Sequence, residues 1–244
     1  MRVLAFCALD GLLFADAVGA GREADRALAS LRRELLGGAV LVPVGSRGRL
    51  PSPAFLHPPE SWAILDHGGT VLRPGGEPDQ VWSLVMRETL EGQGELLRLA
   101  AQAAGHISDL MNLGCTVTLR EVQGLPLLVE VRHPHDLRHS LNTLAQEWRL
   151  WREETGLEGR FLGDDKQLTL IGRGVSKEAA VEYVLEQLRQ EAEGEGETLL
   201  TLALGNGPGD APFMGLCDFA LTPGDSPLMQ KMLESPPGGA VTSF

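Results

Sequence analysis

The chain has 244 residues, 43% of them hydrophobic, which is enough to bury a sizeable core in one domain with an insertion or in two domains. A formal net charge of -12 excludes nucleic acid as a partner, because proteins that bind a phosphate backbone carry a basic surface. No apolar stretch is long enough to cross a membrane, and Asp10 and Asp16 interrupt the apolar N-terminus too early for a signal peptide.

The first part of the chain has the alternating strands and helices of an α/β domain. Val3–Leu9 and Ala39–Val44 are continuous apolar runs of strand length, which is typical of buried parallel strands. Helical spacing of apolar residues predicts a helix between them, over 23–36. Trp62–Leu65 and Thr70–Arg73 are predicted as further strands.

The middle of the chain has a different pattern, which predicts an α+β unit. In order, it contains a predicted helix over Gln80–Leu113 broken near Gly92 and Gly94, an antiparallel strand pair at Thr116–Val122 and Pro126–Val131, an amphipathic helix over Asp136–Glu154, and a strand at Lys166–Arg173. Trp148 and Trp151 lie near one face of the amphipathic helix, so we expect them to pack in a core. Glycine and proline near Pro74–Pro78 and at Arg173-Gly174 predict two linkers.

The α/β pattern resumes after the second linker. Ser176 is the predicted N-cap of a helix over 177–191. The acidic stretch Glu191–Glu197 is predicted to be a solvated connection, and Thr198–Leu204 and Asp218–Leu221 are predicted strands. The Pro/Gly-rich tail over 235–244 is expected to be poorly ordered. We therefore predict a core domain over residues 1–76 and 174–244, with residues 77–173 inserted as a second domain.

Four loops follow elements of the α/β part: Asp10-Gly11, Gly45-Ser46-Arg47, the turn before Lys177, and Gly205–Asp210. Ligands of open α/β sheets bind beyond the carboxyl ends of the strands, so these loops predict one site. A dinucleotide site is disfavoured, because Gly205–Asp210 lacks the G-x-G-x-x-G spacing and a long helix after it.

These loops, in this order, resemble the motifs of the haloacid-dehalogenase (HAD) superfamily, in the branch that includes sucrose-phosphate phosphatase, mannosyl-3-phosphoglycerate phosphatase and the Cof-type sugar phosphatases. The matching segments are 3–13 for D-x-D-G-T-L, 42–47 for the second motif, 64–69 for an N-G-A or N-G-G turn, 174–177 for G-x-x-K, and 205–214 for G-D-x-x-N-D-x-x-M. The resemblance spans nearly the whole chain. It implies an α/β, HAD-like Rossmannoid core with a parallel sheet and an inserted α+β cap of the C2 type.

The resemblance also implies catalytic roles, one of which this chain cannot fill. Members of the family form a phospho-aspartate, but Ala8 stands at the position of the nucleophile and cannot attack phosphorus. Asp10 corresponds to the general acid and base. Lys177 corresponds to the lysine that stabilises charge on the phosphoryl group. The implied catalytic residues that remain are therefore Asp10 and Lys177.

The phosphate-binding residues implied by the family pattern are Gly11, Ser46 and Lys177. In the closest register Gly45 occupies the position of the second motif's hydroxyl, and Ser46 follows one residue later.

For Mg²⁺, the family's cofactor, the implied ligands are Asp10, Asn206 and Asp210. Asn206 replaces a carboxylate, and the nucleophile that also binds the metal is missing, so we expect Mg²⁺ to bind weakly or not at all.

Two further groups lie in the predicted cap. Arg132 and His133 are candidates for contact with a substrate. His133, His135 and His139 have a spacing that permits a metal site, although a solvated helix start is favoured because no further ligand is evident.

The expected function follows from these residues. The resemblance implies a phosphatase-like hydrolase of sugar phosphates or phosphorylated sugar acids, and Ala8 predicts weak activity or none. The alternative is a non-catalytic protein that binds a phosphorylated ligand or a protein partner. Cys7, Cys115 and Cys217 fit neither a disulfide framework nor a zinc site, which predicts reduced thiols and a cytoplasmic location.

Overall fold

The computed structural model describes residues 1–9, 30, 33–34, 36–48, 61–155, 159–163 and 167–234. Most of the predicted helix over 23–36, and the whole tail over 235–244, lie outside the described residues. The chain divides into two compact units: the first is Met1–Asp79 with Ser176–Phe244, and the second is Gln80–Val175. Within the described residues, no helix combines the length and apolar character needed to cross a membrane.

In chain order the described elements are β1 (Arg2–Ala8), β2 (Ala39–Val44), β3 (Ala63–Leu65), a 3-10 turn (Asp66–Gly68), β4 (Thr70–Leu72), α1 (Gln80–Glu91), α2 (Gly94–Leu110), β5 (Thr116–Val122), β6 (Leu125–Arg132), α3 (Arg138–Thr155), β7 (Gly159–Gly163), β8 (Gln167–Gly172), α4 (Lys177–Glu195), β9 (Leu199–Leu204), α5 (Ala211–Met214), β10 (Phe219–Leu221) and α6 (Pro227–Glu234).

The first unit is built on a six-stranded sheet in the order β10-β9-β1-β2-β3-β4. Every neighbouring pair is parallel except β3 with β4, which is antiparallel. The apolar run of β1 is explained by its central place in the sheet, since Leu4 to Ala8 are at most 1% exposed. This arrangement confirms the predicted α/β class. Because β1, β2, β3 and β9 run in the same direction, their carboxyl ends lie along one edge of the sheet.

Helix α4 starts as predicted and ends later. The Ala179 N–H donates to Ser176 Oγ at 3.0 Å, which confirms the N-cap. The prediction of a solvated connection over Glu191–Glu197 is wrong, because the helix continues to Glu195 and ends at Gly196, whose φ is 69°. Ala192 is 1% exposed, so burial of this face stabilises the last turn despite its acidic residues.

The second unit has a four-stranded antiparallel sheet in the order β5-β6-β8-β7. Helices α2 and α3 contribute Leu97, Leu144 and the fully buried Trp148 to its core. The Trp148 Nε1–H donates to the Ala100 carbonyl at 3.0 Å, so the ring is both packed and hydrogen-bonded. The predicted break between α1 and α2 and the β5–β6 pair are confirmed. Strand β7 was not predicted from the sequence.

The chain passes from one unit to the other between residues 79 and 80 and again between residues 175 and 176. Near each boundary, a side chain makes hydrogen bonds within its own unit. Asp79, at the end of the first unit's N-terminal part, is 0% exposed. It accepts hydrogen bonds from Arg73 Nε at 2.6 Å and from the Tyr183 hydroxyl at 2.8 Å. In the second unit, the Gln93 amide donates to the Arg173 carbonyl at 2.8 Å and accepts from the Arg173 N–H at 2.9 Å. Asp79 and Arg173, which lie close to the two boundaries in the chain, are therefore each hydrogen-bonded within their own unit.

Candidate active site

Ala8 is the last residue of β1, at the position where the family pattern has its nucleophile. Its side chain is 0% exposed, and the residue pairs with Val44 of β2. The Leu9 N–H then donates to the Val44 carbonyl at 2.8 Å. Burial raises the pKa of the neighbouring Cys7 thiol to about 12, so Cys7 cannot serve as a replacement nucleophile near neutral pH. Asp10 and Gly11 lie outside the described residues, and their roles stay predictions.

The loop after β2 leaves little room for a side chain at Gly45. A Cβ atom at Gly45 would lie 3.0 Å from Leu9 Cδ1, so Ser or Thr there would push against Leu9. Ser46 is half-buried. Ser46, one residue after the register position at Gly45, stays a predicted phosphate-binding residue.

The turn Asp66–Gly68 is hydrogen-bonded to the loop after β2, at the residues before and after Ser46. The Asp66 N–H donates to the Arg47 carbonyl at 3.2 Å, and the His67 N–H donates to the Gly45 carbonyl at 3.1 Å. Asp66 and His67 are both buried, with φ values of 52° and 56°. Such left-handed conformations destabilise non-glycine residues by roughly 1–3 kcal/mol each and occur preferentially at functional sites.

The same turn reaches the start of α4 through Gly68. Its φ is 96°, and a Cβ atom there would lie 2.1 Å from the Ser176 carbonyl oxygen. Only glycine satisfies both the conformation and the contact. Because Lys177 follows Ser176, the turn connects the loop that carries Ser46 with the helix start that carries Lys177.

Lys177 and Asp210 form a nearly buried ion pair. Lys177 Nζ lies 2.9 Å from Asp210 Oδ1, and the two side chains are 13% and 6% exposed. The second carboxylate oxygen of Asp210 accepts from the backbone N–H groups of Asn206 at 3.2 Å and Gly207 at 3.1 Å. The structure therefore brings together Lys177, Asn206 and Asp210, which the sequence assigns to one site.

The loop over 205–210 is shaped by close packing. A Cβ atom at Gly205 would lie 2.5 Å from Met214 Sδ, so this position has no space for a side chain. The Asn206 carbonyl accepts from the Leu228 N–H at 2.9 Å, at the start of α6. Helix α6 was missed from the sequence, although Ser226 followed by Pro227 is a helix-start signal, and Ser226 Oγ does accept from the Met229 N–H at 3.0 Å.

Among the predicted ligands that the structure describes, only Asp210 is a carboxylate, whereas Mg²⁺, which the resemblance implies, prefers carboxylate oxygens and water. Ala8 offers no ligand, Asn206 is neutral, and both carboxylate oxygens of Asp210 already accept hydrogen bonds. Within the described ranges, no three His, Cys, Asp or Glu side chains lie close enough together to hold a metal ion. Asp10, the remaining predicted ligand, is outside those ranges.

In the second unit, His133 orders the backbone that precedes α3. The residue is 7% exposed, and its Nδ1 accepts from the N–H groups of His135 at 3.1 Å and Leu137 at 3.4 Å. This role explains a buried histidine without any ligand. His135 and His139 are exposed.

Arg132, the other candidate predicted with His133, lines an open pocket of about 470 Å³ on the β5–β6 surface. The pocket is lined by Thr116, Thr118, Arg120, Glu130, Arg132 and Pro134. Arg120 Nη1 lies 3.5 Å from Glu130 Oε1, and Arg132 donates to the Gln167 side-chain oxygen. The pocket thus combines hydroxyl groups with fixed charged groups.

Comparison with known proteins gives matches in structure but not in sequence. No protein-family model matches the chain, and no curated protein matches it significantly. Sucrose-phosphatase from Synechocystis, solved with sucrose and phosphate, is 18% identical with a TM-score of 0.52, and the match covers 88% of this chain and 80% of that one. The C-terminal domain of trehalose-6-phosphate phosphatase from C. albicans is 12% identical with a TM-score of 0.58, over 88% and 73% of the two chains.

IMP-nucleotidase from Plasmodium falciparum is 11% identical with a TM-score of 0.57, over 93% of this chain and 60% of that one. At identities this low, the likeness shows the fold alone. This chain therefore shares the α/β fold of these three solved structures.

Proposed function

We propose that this chain binds a small phosphorylated sugar or sugar acid at the carboxyl edge of the six-stranded sheet, and that it hydrolyses phosphomonoesters weakly or not at all. The observation that carries the proposal is the Lys177–Asp210 ion pair in a site whose nucleophile position is Ala8. The site keeps a lysine at the helix start, paired with Asp210, and has alanine at the position of the group that forms the covalent intermediate.

The proposed lack of turnover follows from the chemistry that the resemblance implies. Phosphoryl transfer through a covalent intermediate needs an oriented nucleophile, and enzymes lower such barriers by roughly 8–23 kcal/mol in total. Alanine at position 8 removes that nucleophile. The Cys7 thiol beside it is buried with its pKa raised to about 12, so it offers no substitute.

Binding an anion does not need the missing groups. Ala8 and Asn206 are both neutral where the family pattern has carboxylates, so two negative charges that would repel a phosphate are gone. Lys177 lies in the first turn of α4, where the helix dipole also favours an anion. These features support metal-independent binding of a phosphoryl group by Lys177 and Ser46.

The class of ligand is supported by the neighbours and by the second unit. The structural neighbours include enzymes named for sucrose phosphate and trehalose 6-phosphate. We propose Gln80–Val175 as a cap, which has an open pocket of its own beside Arg132. Threonine hydroxyls and guanidinium groups suit the hydroxyl and anionic groups of a sugar acid or sugar phosphate.

Calorimetry in EDTA tests the binding proposal. We expect some members of a sugar-phosphate panel to bind, and their unphosphorylated sugars to bind much more weakly. Lys177→Met is expected to abolish the phosphate-dependent part, whereas Lys231→Met, at an exposed lysine of α6, is the matched control. Absence of binding by every phosphorylated compound, with a folded protein, would refute the proposal.

A further inference from the structure

We infer that the Asp210 carboxylate is autoinhibitory: it competes with the phosphoryl ligand for Lys177. This inference rests on the proposed anion site and adds the regulation of that site. Lys177 Nζ lies 2.9 Å from Asp210 Oδ1, and both side chains are nearly buried, so salt screens the pair weakly. A ligand that binds this ammonium group therefore competes with a carboxylate of the same chain.

The Asp210 side chain is directed to the proposed site and does not cap its own helix. Asp210 directly precedes α5, where an aspartate usually accepts a hydrogen bond from an N–H of the first turn, but its side chain makes no such bond. Its Oδ2 accepts instead from the N–H groups of Asn206 at 3.2 Å and Gly207 at 3.1 Å. With Lys177 on Oδ1, three donors converge on this one carboxylate.

The ion pair opposes the binding of a second anion in two ways. The carboxylate offsets the charge of the ammonium group and repels a phosphoryl group that approaches it. A ligand that takes Lys177 from Asp210 also leaves a nearly buried carboxylate without its cation, which is unfavourable. The apparent affinity is therefore reduced by the fraction of molecules in which the lysine is available.

Neutralising Asp210 is expected to strengthen phosphate binding. Asp210→Asn keeps the shape of the side chain and a carbonyl oxygen that can accept from Asn206 and Gly207. Its amide NH₂ group is a donor and cannot pair with Lys177. In calorimetry with inorganic phosphate and EDTA, we expect this variant to bind about tenfold more tightly than the native chain. Asp225→Asn removes the same charge from an exposed residue of the first unit and is expected to leave the affinity unchanged.

A double variant tests whether the gain depends on the ion pair. If Asp210 acts by competing for Lys177, its neutralisation has no effect once the lysine is gone. We therefore expect Lys177→Met combined with Asp210→Asn to bind phosphate no more tightly than Lys177→Met alone. An equal gain with and without the lysine would show a general effect of charge and overturn the inference.

NMR of the native, uniformly ¹⁵N-labelled chain gives a measurement that needs no variant. Phosphate is expected to shift the backbone amide signals of Asn206 and Gly207, because their N–H groups donate to the carboxylate that loses its partner. The Thr201 amide is the matched control, since it donates to Asp218 Oδ2 at 2.8 Å in the same unit. Its signal is expected to stay unchanged.

The outcomes separate this inference from the proposal beneath it. Equal or weaker phosphate binding by a folded Asp210→Asn variant would overturn the competition and leave the anion site standing. A phosphate-dependent shift of the Lys177 amide without shifts at Asn206 and Gly207 would do the same, and it decides the question if Asp210→Asn does not fold. Absence of phosphate binding by both the native chain and folded Asp210→Asn would overturn the anion site as well.

Discussion

Lys177 Nζ lies 2.9 Å from Asp210 Oδ1, and both side chains are nearly buried. The pair explains how the Asp210 carboxylate is tolerated at a nearly buried position, since the ammonium group and two backbone N–H groups together satisfy both of its oxygens. It also links the start of α4 to the loop after β9, two segments 33 residues apart in the chain.

Removing the lysine is expected to destabilise the first unit. Lys177→Met leaves the buried Asp210 carboxylate without its cation, and breaking such a pair typically costs about 3 kcal/mol of unfolding free energy. Urea unfolding followed by circular dichroism measures the loss. Lys231→Met, at an exposed position, is expected to change stability by less than about 0.5 kcal/mol. Equal effects of the two variants would show that the pair does not stabilise the fold.

Gly68 is expected to be the more sensitive of two glycines at positive φ. Gly68→Ala places a Cβ atom 2.1 Å from the Ser176 carbonyl, whereas a Cβ atom at Gly75 meets nothing within 4 Å. Both variants lose roughly 1 kcal/mol to backbone strain, and Gly68→Ala is expected to lose about 1–3 kcal/mol more from the overlap. Thermal unfolding compares them. Similar melting temperatures for the two variants would mean that the close contact between Gly68 and the Ser176 carbonyl does not limit the size of residue 68.

We expect the free energy of unfolding to fall at alkaline pH because of Tyr183. Burial first, and then the hydrogen bond to Asp79, raise the pKa of its hydroxyl from 10.0 to about 12. The fold therefore favours the protonated form, so this contribution is complete below pH 10 and declines as the pH rises towards 12. Tyr183→Phe removes the titrating group, and its unfolding free energy is expected to decline less over that interval. If the unfolding free energies of the native chain and Tyr183→Phe change in parallel between pH 10 and 12, Tyr183 is not the group responsible.

We expect the effects of Ala8→Asp and Asn206→Asp on phosphatase activity to be strongly coupled. Ala8→Asp alone supplies a nucleophile, but Asn206 still leaves the metal site incomplete, so little activity is expected. Ala8→Asp combined with Asn206→Asp is expected to gain more phosphatase activity in Mg²⁺ than the two single changes together, because groups that act as a unit are not additive. Position 8 is fully buried, so circular dichroism must first establish that each variant folds. Additive gains would contradict the expected coupling.

The sequence predicts the features of this fold that depend on neighbours along the chain. The runs that became β1 and β2 are apolar throughout because both faces of these strands are covered, and Ser176 was identifiable as an N-cap from its place before a helical pattern. The end of α4 was mispredicted because three glutamates near its C-terminus suggest solvent, whereas the burial of Ala192 outweighs their unfavourable position in the helix dipole.

Contacts between segments far apart in the chain could not be predicted from the sequence. Motif order places Lys177 and Asp210 in one site, but nothing in their spacing shows that each is the other's partner. The contact between the turn Asp66–Gly68 and the loop after β2 was not predicted either, because only the backbone bonds to Gly45 and Arg47 reveal it. The loss of the nucleophile, in contrast, is visible at a single residue, Ala8.

Turnover by the unmodified chain is the measurement that tests the central claim most directly. Inorganic phosphate released from a panel of sugar phosphates, with Mg²⁺ present, is expected to stay at or near the rate without protein, while calorimetry on the same samples detects binding. Robust hydrolysis that survives repurification and disappears in an Asp10→Asn variant would contradict the account, because it would show a working phosphatase whose nucleophile is not at position 8.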